Sequence, residues 1–336
     1  VLIIKLPRII ILSGRRGKWR SLLIQILLPF FVPVAVLKIR RAIKNNGAEI
    51  VHTNGIKFHL LASPVRLLAR FKLVWHFRDL PQEKLWSSII LLFARFFPHK
   101  IIVNSDAVAR FFDGCCKHKT ITIFNGIDFE KFKPVKDATE VRKSLGFSNE
   151  FIVGMFSMFT EWKGHNVLVD AAYGLKDKIP DIRFIIAGDA LYDTLRNKGI
   201  KEKIIQMTEQ KKLNGILKFT GYREDVQDLM NAVDVVVNPT TRPEPFGRVI
   251  AEAMALSKPV IITEDGGLCN IVKQYELGIV IPRNDDRALR DAIIDLYQDK
   301  MKRISMGKKA REVAEMYFSI HKYIHGIQNV YEELKS

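Results

Sequence analysis

The sequence is short of cysteine, and the three it has frame no disulfide scaffold: Cys115 and Cys116 are adjacent and Cys269 is distant. This excludes a disulfide-dense secreted domain and any Cys-x2-Cys metal pair, and points to a reducing compartment with the cytoplasm as default. Asp-x-Asp is missing throughout, so the acidic pair that would bridge a metal ion to a diphosphate has no source here. Uninterrupted apolar runs of membrane-spanning length, ~20 residues, are also lacking. The run 22–37 holds Pro29 and Pro33 and is flanked by Arg15, Arg16, Lys18 and Arg20 before it and Lys38, Arg40 and Arg41 after it. No small-residue cleavage site follows the charged start, so no secretory signal is expected. Acidic residues are scarce early in the chain: residues 1–150 carry 26 Lys and Arg against 10 Asp and Glu, whereas residues 151–336 carry 27 against 26.

What remains is ample material for two cores, with 48% hydrophobic residues in a chain of 336. The basic first half, net +16, suits an anionic membrane surface or a phosphorylated acceptor, or is a solvated basic face without a specific partner. Nucleic acid is not expected, because the cations are scattered among apolar runs with no zinc-finger spacing or RNA-binding aromatic pattern. The run 22–37 fits either an interfacial anchor, broken at its prolines, or a buried core helix, and residues 86–97 pose the same choice. Localisation is therefore expected to be cytoplasmic, with a peripheral place on the inner face of the membrane open. The chain opens on Val1 and enters an apolar segment directly, which is read as an incomplete start.

Short β-like runs alternate with helix-length segments. Residues 50–52, 73–77, 100–103 and 121–124 read as buried parallel strands, and 151–154, 184–187, 217–220, 235–237, 260–262 and 278–281 repeat the pattern. The fold class is α/β twice over, with the polar stretch 129–149 as the linker. In such sheets ligands bind beyond the strand C-termini.

The most informative local feature is Glu244-Pro245-Phe246-Gly247-Arg248-Val249-Ile250-Ala251-Glu252. Breakers precede Gly247 and good helix formers follow it, so Glu244 should precede a helix and Glu252 should lie inside it. The free amides of the first turn then sit between two carboxylates, an arrangement suited to a sugar diphosphate. A solvated pair of glutamates is the plain alternative, since Glu-x7-Glu spacing alone is common.

Taken with Asn125-Gly126-Ile127-Asp128, Trp162-Lys163-Gly164, Ala187-Gly188-Asp189 and Gly266-Gly267, in that order, the chain resembles a family 4 glycosyltransferase of the GT-B type. The resemblance implies two facing Rossmann-like doubly wound domains, at 1–135 (acceptor side, lacking part of its start) and 136–319 (donor side). A C-terminal helix, 320–336, would return to the first. It implies retaining transfer from a nucleotide sugar, UDP- or GDP-linked, to a glycan or lipid-linked acceptor in polysaccharide or lipopolysaccharide synthesis, with no cofactor and no metal. Glu244 would hold donor-sugar hydroxyls, Lys163 the diphosphate and Glu252 the ribose. Phe246, Gly247, Arg248, Val249, Gly188, Tyr222 and Met158 would line the donor, and Arg78 and Asn125 the acceptor side. His76 matches the family's cleft histidine, against the alternative of an ordinary semi-buried imidazole; for Tyr222 the alternative is plain ring packing.

Three positions depart from the pattern. Met158 stands where the family carries an Arg, Asn270 where it often has Glu, and no Gly-rich loop occurs before His52. Loss of the arginine opens a second reading, a non-catalytic relative that binds or assembles. An epimerase or phosphorylase on the same fold lacks an identifiable acid/base set or pyridoxal phosphate lysine.

Overall fold

The structure, a computed structural model, describes residues 18–135, 137–190 and 199–336, with side chains from Val32 onward. The opening apolar segment 1–6 and the side chains of 22–31 lie outside the described residues.

Among the described residues, ten strands form two parallel sheets. The first, in the order β1 (Ile50–Asn54), β2 (Lys72–Phe77), β3 (Lys100–Val103), β4 (Thr120–Thr122), adds each strand beside the last. The second holds β5 (Phe151–Phe156), β6 (Ile182–Ala187), β7 (Leu217–Gly221), β8 (Val235–Asn238), β9 (Val260–Thr263) and β10 (Gly278–Ile281) in the order β10-β9-β8-β5-β6-β7. Parallel strands joined by crossover helices are covered on both faces, which is why they read as unbroken apolar runs. All residues of β5 and β9 are buried. The first core gathers Leu73, Trp75, Phe77, Ile101 and Val103, and the second Val153, Phe184, Ile186, Val235 and Ile261.

Two compact units result: residues up to Phe124 together with Ile324–Ser336, and Asn125–Tyr323. The division falls earlier than the polar stretch 129–149 suggests, because residues after Asn125 are tied to the second unit. The Ile127 N–H donates to Phe318 O at 2.7 Å, Phe132 is buried, and the Asn231 side-chain amide donates to Lys133 O at 3.2 Å. The stretch also contains a short helix, Thr139–Ser144, anchored where Arg142 meets Asp234 at 2.9 Å. The last helix, Ile320–Lys335, ends in the first unit, where Tyr331 Oη lies 2.5 Å from His52 Nδ1 and Glu333 pairs with Lys100.

One expectation fails. The prolines of the run 22–37 do not break it: a single helix, Lys18–Asn45, continues through Pro29 and Pro33. Val32, Val36, Ile39 and Ile43 recur at helical spacing and pack into the first core, while Val34 and Leu37 face outward. For this part the buried-helix reading holds. Packing of the inner face keeps the helix going where a proline removes one intrahelical N–H.

Candidate functional site

In the second sheet the chain runs outward from β5 to β6 and β7, then returns to place β8 on the other side of β5. The loops after β5 and β8 therefore diverge at the switch point of the sheet, where doubly wound folds open a ligand crevice. Met158, Trp162 and Lys163 stand on the first loop and Glu244 on the second.

These loops are locked together by backbone. Gly164, φ 79°, begins the helix His165–Leu175, and a Cβ there would fall 1.7 Å from Pro239 O, so only glycine permits the approach. The Thr241 N–H donates to Trp162 O at 2.8 Å. Across this junction Lys163 Nζ meets Glu244 Oε2 at 2.5 Å, and the ammonium also lies 4.1 Å from the Trp162 ring centroid.

Gly247, φ 89°, turns the second loop into the helix Arg248–Ala255. Helix geometry leaves the Arg248 and Val249 amides without intrahelical acceptors, so they are donors available to an anion. One turn on, Glu252 is buried and accepts from Arg248 Nε at 2.8 Å. Burial pushes its carboxyl above the usual glutamate range, against the lowering effects of the Arg248 bond and of Lys131. After β9, the Gly267 N–H donates to Glu244 O at 2.8 Å, and a Cβ on Gly267 would stand 2.3 Å from Pro245 O. A small crevice is lined here by Asn238, Thr240, Glu244, Gly247, Thr263 and Gly267.

The structure thus brings together Lys163, Glu244, Gly247, Arg248, Val249 and Glu252. Gly188 joins them from the end of β6: its φ is 149°, and a Cβ would lie 2.0 Å from Ser157 O, which holds this turn against the loop carrying Met158. Tyr222, after β7, is 61% exposed. The Phe246 ring is buried edge-on against Phe318, so this residue has its backbone, not its ring, to offer a donor. Asn125 belongs to the second unit, whereas His76 and Arg78 belong to the first, at the end of β2. Burial, then Arg78, His52 and His59, push the His76 imidazole down to about 3, and its ring centroid lies 5.3 Å from that of His52. At neutral pH it is an uncharged ring.

Sequence reasoning passed over Ser157 and His165. Ser157 Oγ lies 3.1 Å from the buried His165 Nε2, whose ring stacks on Phe159 and is pushed down to about 3, by burial first and by Lys163 second. A polar residue directly after a helix-opening glycine was the available signal. It also passed over His59, stacked on Trp75 with Nδ1 2.6 Å from Thr53 Oγ1, which no local pattern marks. Among the described residues no group of three or more His, Cys, Asp or Glu is placed to hold a metal ion, and no helix is long and apolar enough to cross a membrane.

Comparison with known proteins adds to this geometry. The family described as glycosyl transferases group 1 matches residues 137–313, and glycosyltransferase family 4 matches residues 16–131. The D-inositol 3-phosphate glycosyltransferase of Corynebacterium urealyticum is 33% identical over 65% of this chain and 53% of its own length. The lipopolysaccharide core biosynthesis mannosyltransferase LpsB of Rhizobium meliloti is 29% identical over 70% and 65%. The chain thus spans between about half and two thirds of the length of these relatives. Among solved structures, Anabaena Alr3699/HepE in complex with UDP superposes with a TM-score of 0.82 at 28% identity, over 89% of this chain and 82% of that one. The two parallel sheets are those of the GT-B architecture, and the chain belongs to the group 1, family 4 glycosyltransferases.

Proposed function

We propose that this protein is a retaining glycosyltransferase that moves a sugar from a nucleoside-diphosphate donor to a glycan or lipid-linked acceptor in the synthesis of a cell-surface polysaccharide or lipopolysaccharide. The carrying observation is the Lys163–Glu244 pair at the β5/β8 switch point, beside the helix opened by Gly247. HepE binds UDP and UDP-glucose, LpsB acts in lipopolysaccharide core synthesis, and CapM of Staphylococcus aureus, 27% identical, is a capsular polysaccharide biosynthesis glycosyltransferase. These relatives support the donor class and the pathway type.

Chemically, the barrier lies in parting the anomeric carbon from a diphosphate that takes up negative charge. In this reading Lys163 and the amides of Arg248 and Val249 meet that charge, with no metal taking part. Glu244 accepts from hydroxyls of the donor sugar and Glu252 from those of the ribose. The acceptor oxygen bonds to the anomeric carbon on the face the diphosphate leaves. The acceptor proton passes to the departing phosphate, so no protein nucleophile is needed. In this reading His76 is a catalytic residue that contacts the donor sugar or the acceptor, and Arg78 and Asn125 serve the acceptor side.

The test is isothermal titration with UDP and with GDP, beside Glu252→Ala, followed by transfer assays with the nucleotide sugar of whichever binds. Saturable binding of one nucleotide, weakened by ~1–3 kcal/mol in the variant, is expected. Equal binding by parent and variant would remove Glu252 from the site.

A further inference from the structure

A separate feature lies in the first unit, whereas the proposed donor site is built from residues of the second. The helix Lys84–Phe96 buries Ile90 and Ala94, and Leu91 and Phe93 pack beside them in the first core. The opposite face of a helix at a protein surface is ordinarily polar. Here it carries Leu85, Ile89, Leu92 and Phe96, at the i, i+4, i+7, i+11 spacing of one stripe. Leu85 is 72%, Leu92 57% and Phe96 65% exposed, and Trp86 beside them is 48% exposed. The helix Ile56–Ala62, which contacts this one, adds exposed Phe58. Apolar side chains gathered on an outward face mark an interaction surface.

The surroundings select the occupant. Lys84 and Arg95 flank the stripe, and the Arg95 guanidinium lies over the Phe96 ring, 5.8 Å from its centroid. Lys119 donates to Arg95 O and Pro98 O and so adds a cation at the helix C-terminus. Over the described residues of the unit, 18–124 with 324–336, there are 18 Lys and Arg against 7 Asp and Glu. A second copy would set two such fields against each other. An anionic bilayer instead takes the apolar stripe at its headgroup boundary and the cations at its phosphates, and aromatic rings favour that depth.

We infer that the helix Lys84–Phe96 is an interfacial docking element that lays Leu85, Leu92 and Phe96 into an anionic lipid surface. The inference stands independently of the donor site, and one experiment keeps the two apart. The full chain is sedimented with vesicles of phosphatidylcholine alone and of phosphatidylcholine with phosphatidylglycerol, while nucleotide binding is titrated in the same preparations. Binding to the anionic vesicles alone, weakened by added salt, is expected. The triple variant Leu85→Ser, Leu92→Ser, Phe96→Ser should lower partitioning roughly tenfold or more, since it removes three exposed apolar side chains. Its melting temperature and nucleotide binding should not change. A second variant, Lys84→Glu, should weaken binding and leave the stripe intact. The inference is overturned if the parent ignores both vesicle types, or if the triple variant partitions like the parent. Concentration-dependent self-association abolished by the triple substitution, without vesicle binding, would assign the stripe to a copy of this chain and overturn it equally.

Discussion

Lys163 and Glu244, 81 residues apart in the chain, close an ion pair in which the two side chains are only 15% and 16% exposed. Neither is satisfied by solvent alone, so the pair is a joint feature of the β5 and β8 loops. Replacing the lysine by an apolar residue of similar length leaves a largely buried carboxylate without its counter-charge. Lys163→Met should therefore cost ~1–3 kcal/mol in folding stability. In the proposed reaction it should lower kcat by a factor on the order of 10² or more, as expected when a preorganised cation is removed from a charge-developing transition state. Urea unfolding and steady-state kinetics measure the two separately. Loss of stability with unchanged turnover would make the pair structural.

Glu252 provides a test by pH. Its folded carboxyl is raised above the ordinary range by burial, so the folded state holds its proton where the unfolded chain has released it. Its contribution to stability is present below the unfolded value, near 4.5, and is lost as pH rises through the folded value. Above that range the burial of this carboxyl opposes folding. Glu252→Gln should raise the melting temperature at pH 7 and leave it nearly unchanged at pH 4, while it weakens nucleotide binding. Calorimetric scans at both pH values decide this. A variant less stable at pH 7 would mean that the Arg248 bond outweighs the burial.

Met158 occupies the position where the family resemblance places a diphosphate arginine, and Gly188 packs against the adjoining Ser157 carbonyl. Met158→Arg should strengthen donor binding by ~1.5–3 kcal/mol if the site lacks a cation there. An unchanged affinity would indicate that exposed Arg248 already supplies the charge. If parent and variant both bind donor but neither transfers sugar, the non-catalytic reading gains the advantage.

Much of this architecture is legible because parallel strands covered on both faces must be apolar throughout. Val235-Val236-Val237 and Val260-Ile261-Ile262 announce themselves, and the turn residues after them locate the site edge. Gly247 is legible as a helix opener for the same local reason. What escapes is set by partners distant in sequence. Nothing near Pro29 or Pro33 says that Val36 and Ile43 will pack into a core and carry the helix past them. Nothing near Ile127 says that its N–H belongs to Phe318, and that contact moves the unit boundary. Phe246 sits inside a motif that suggests ligand contact, and only the tertiary position of Phe318 shows its ring turned inward. His165 is hidden similarly, since its meaning depends on Ser157 and Phe159 closing over it.

Gly267 provides the sharpest steric test, because its role is to let one loop approach another. It carries no positive φ, so alanine meets no backbone strain, only contact: a Cβ would lie 2.3 Å from Pro245 O and 2.7 Å from Phe246 Cα. Backbone atoms cannot swing aside as a side chain can, so the loop 244–246 must shift as a whole. That shift stretches the 2.8 Å bond from the Gly267 N–H to Glu244 O, which fixes where the Glu244 carboxylate stands. The loop edge is partly solvated and can yield, so Gly267→Ala should cost only ~1–3 kcal/mol in stability. Misplacement of Glu244 should cost more in function, on the order of a hundredfold in kcat/KM, since small displacements of positioning groups are expensive. Gly266→Ala serves as the matched control, because its Cβ would have 3.7 Å to the nearest atoms and should be tolerated. Equal effects of the two substitutions would mean that the Gly267 contact does not position Glu244.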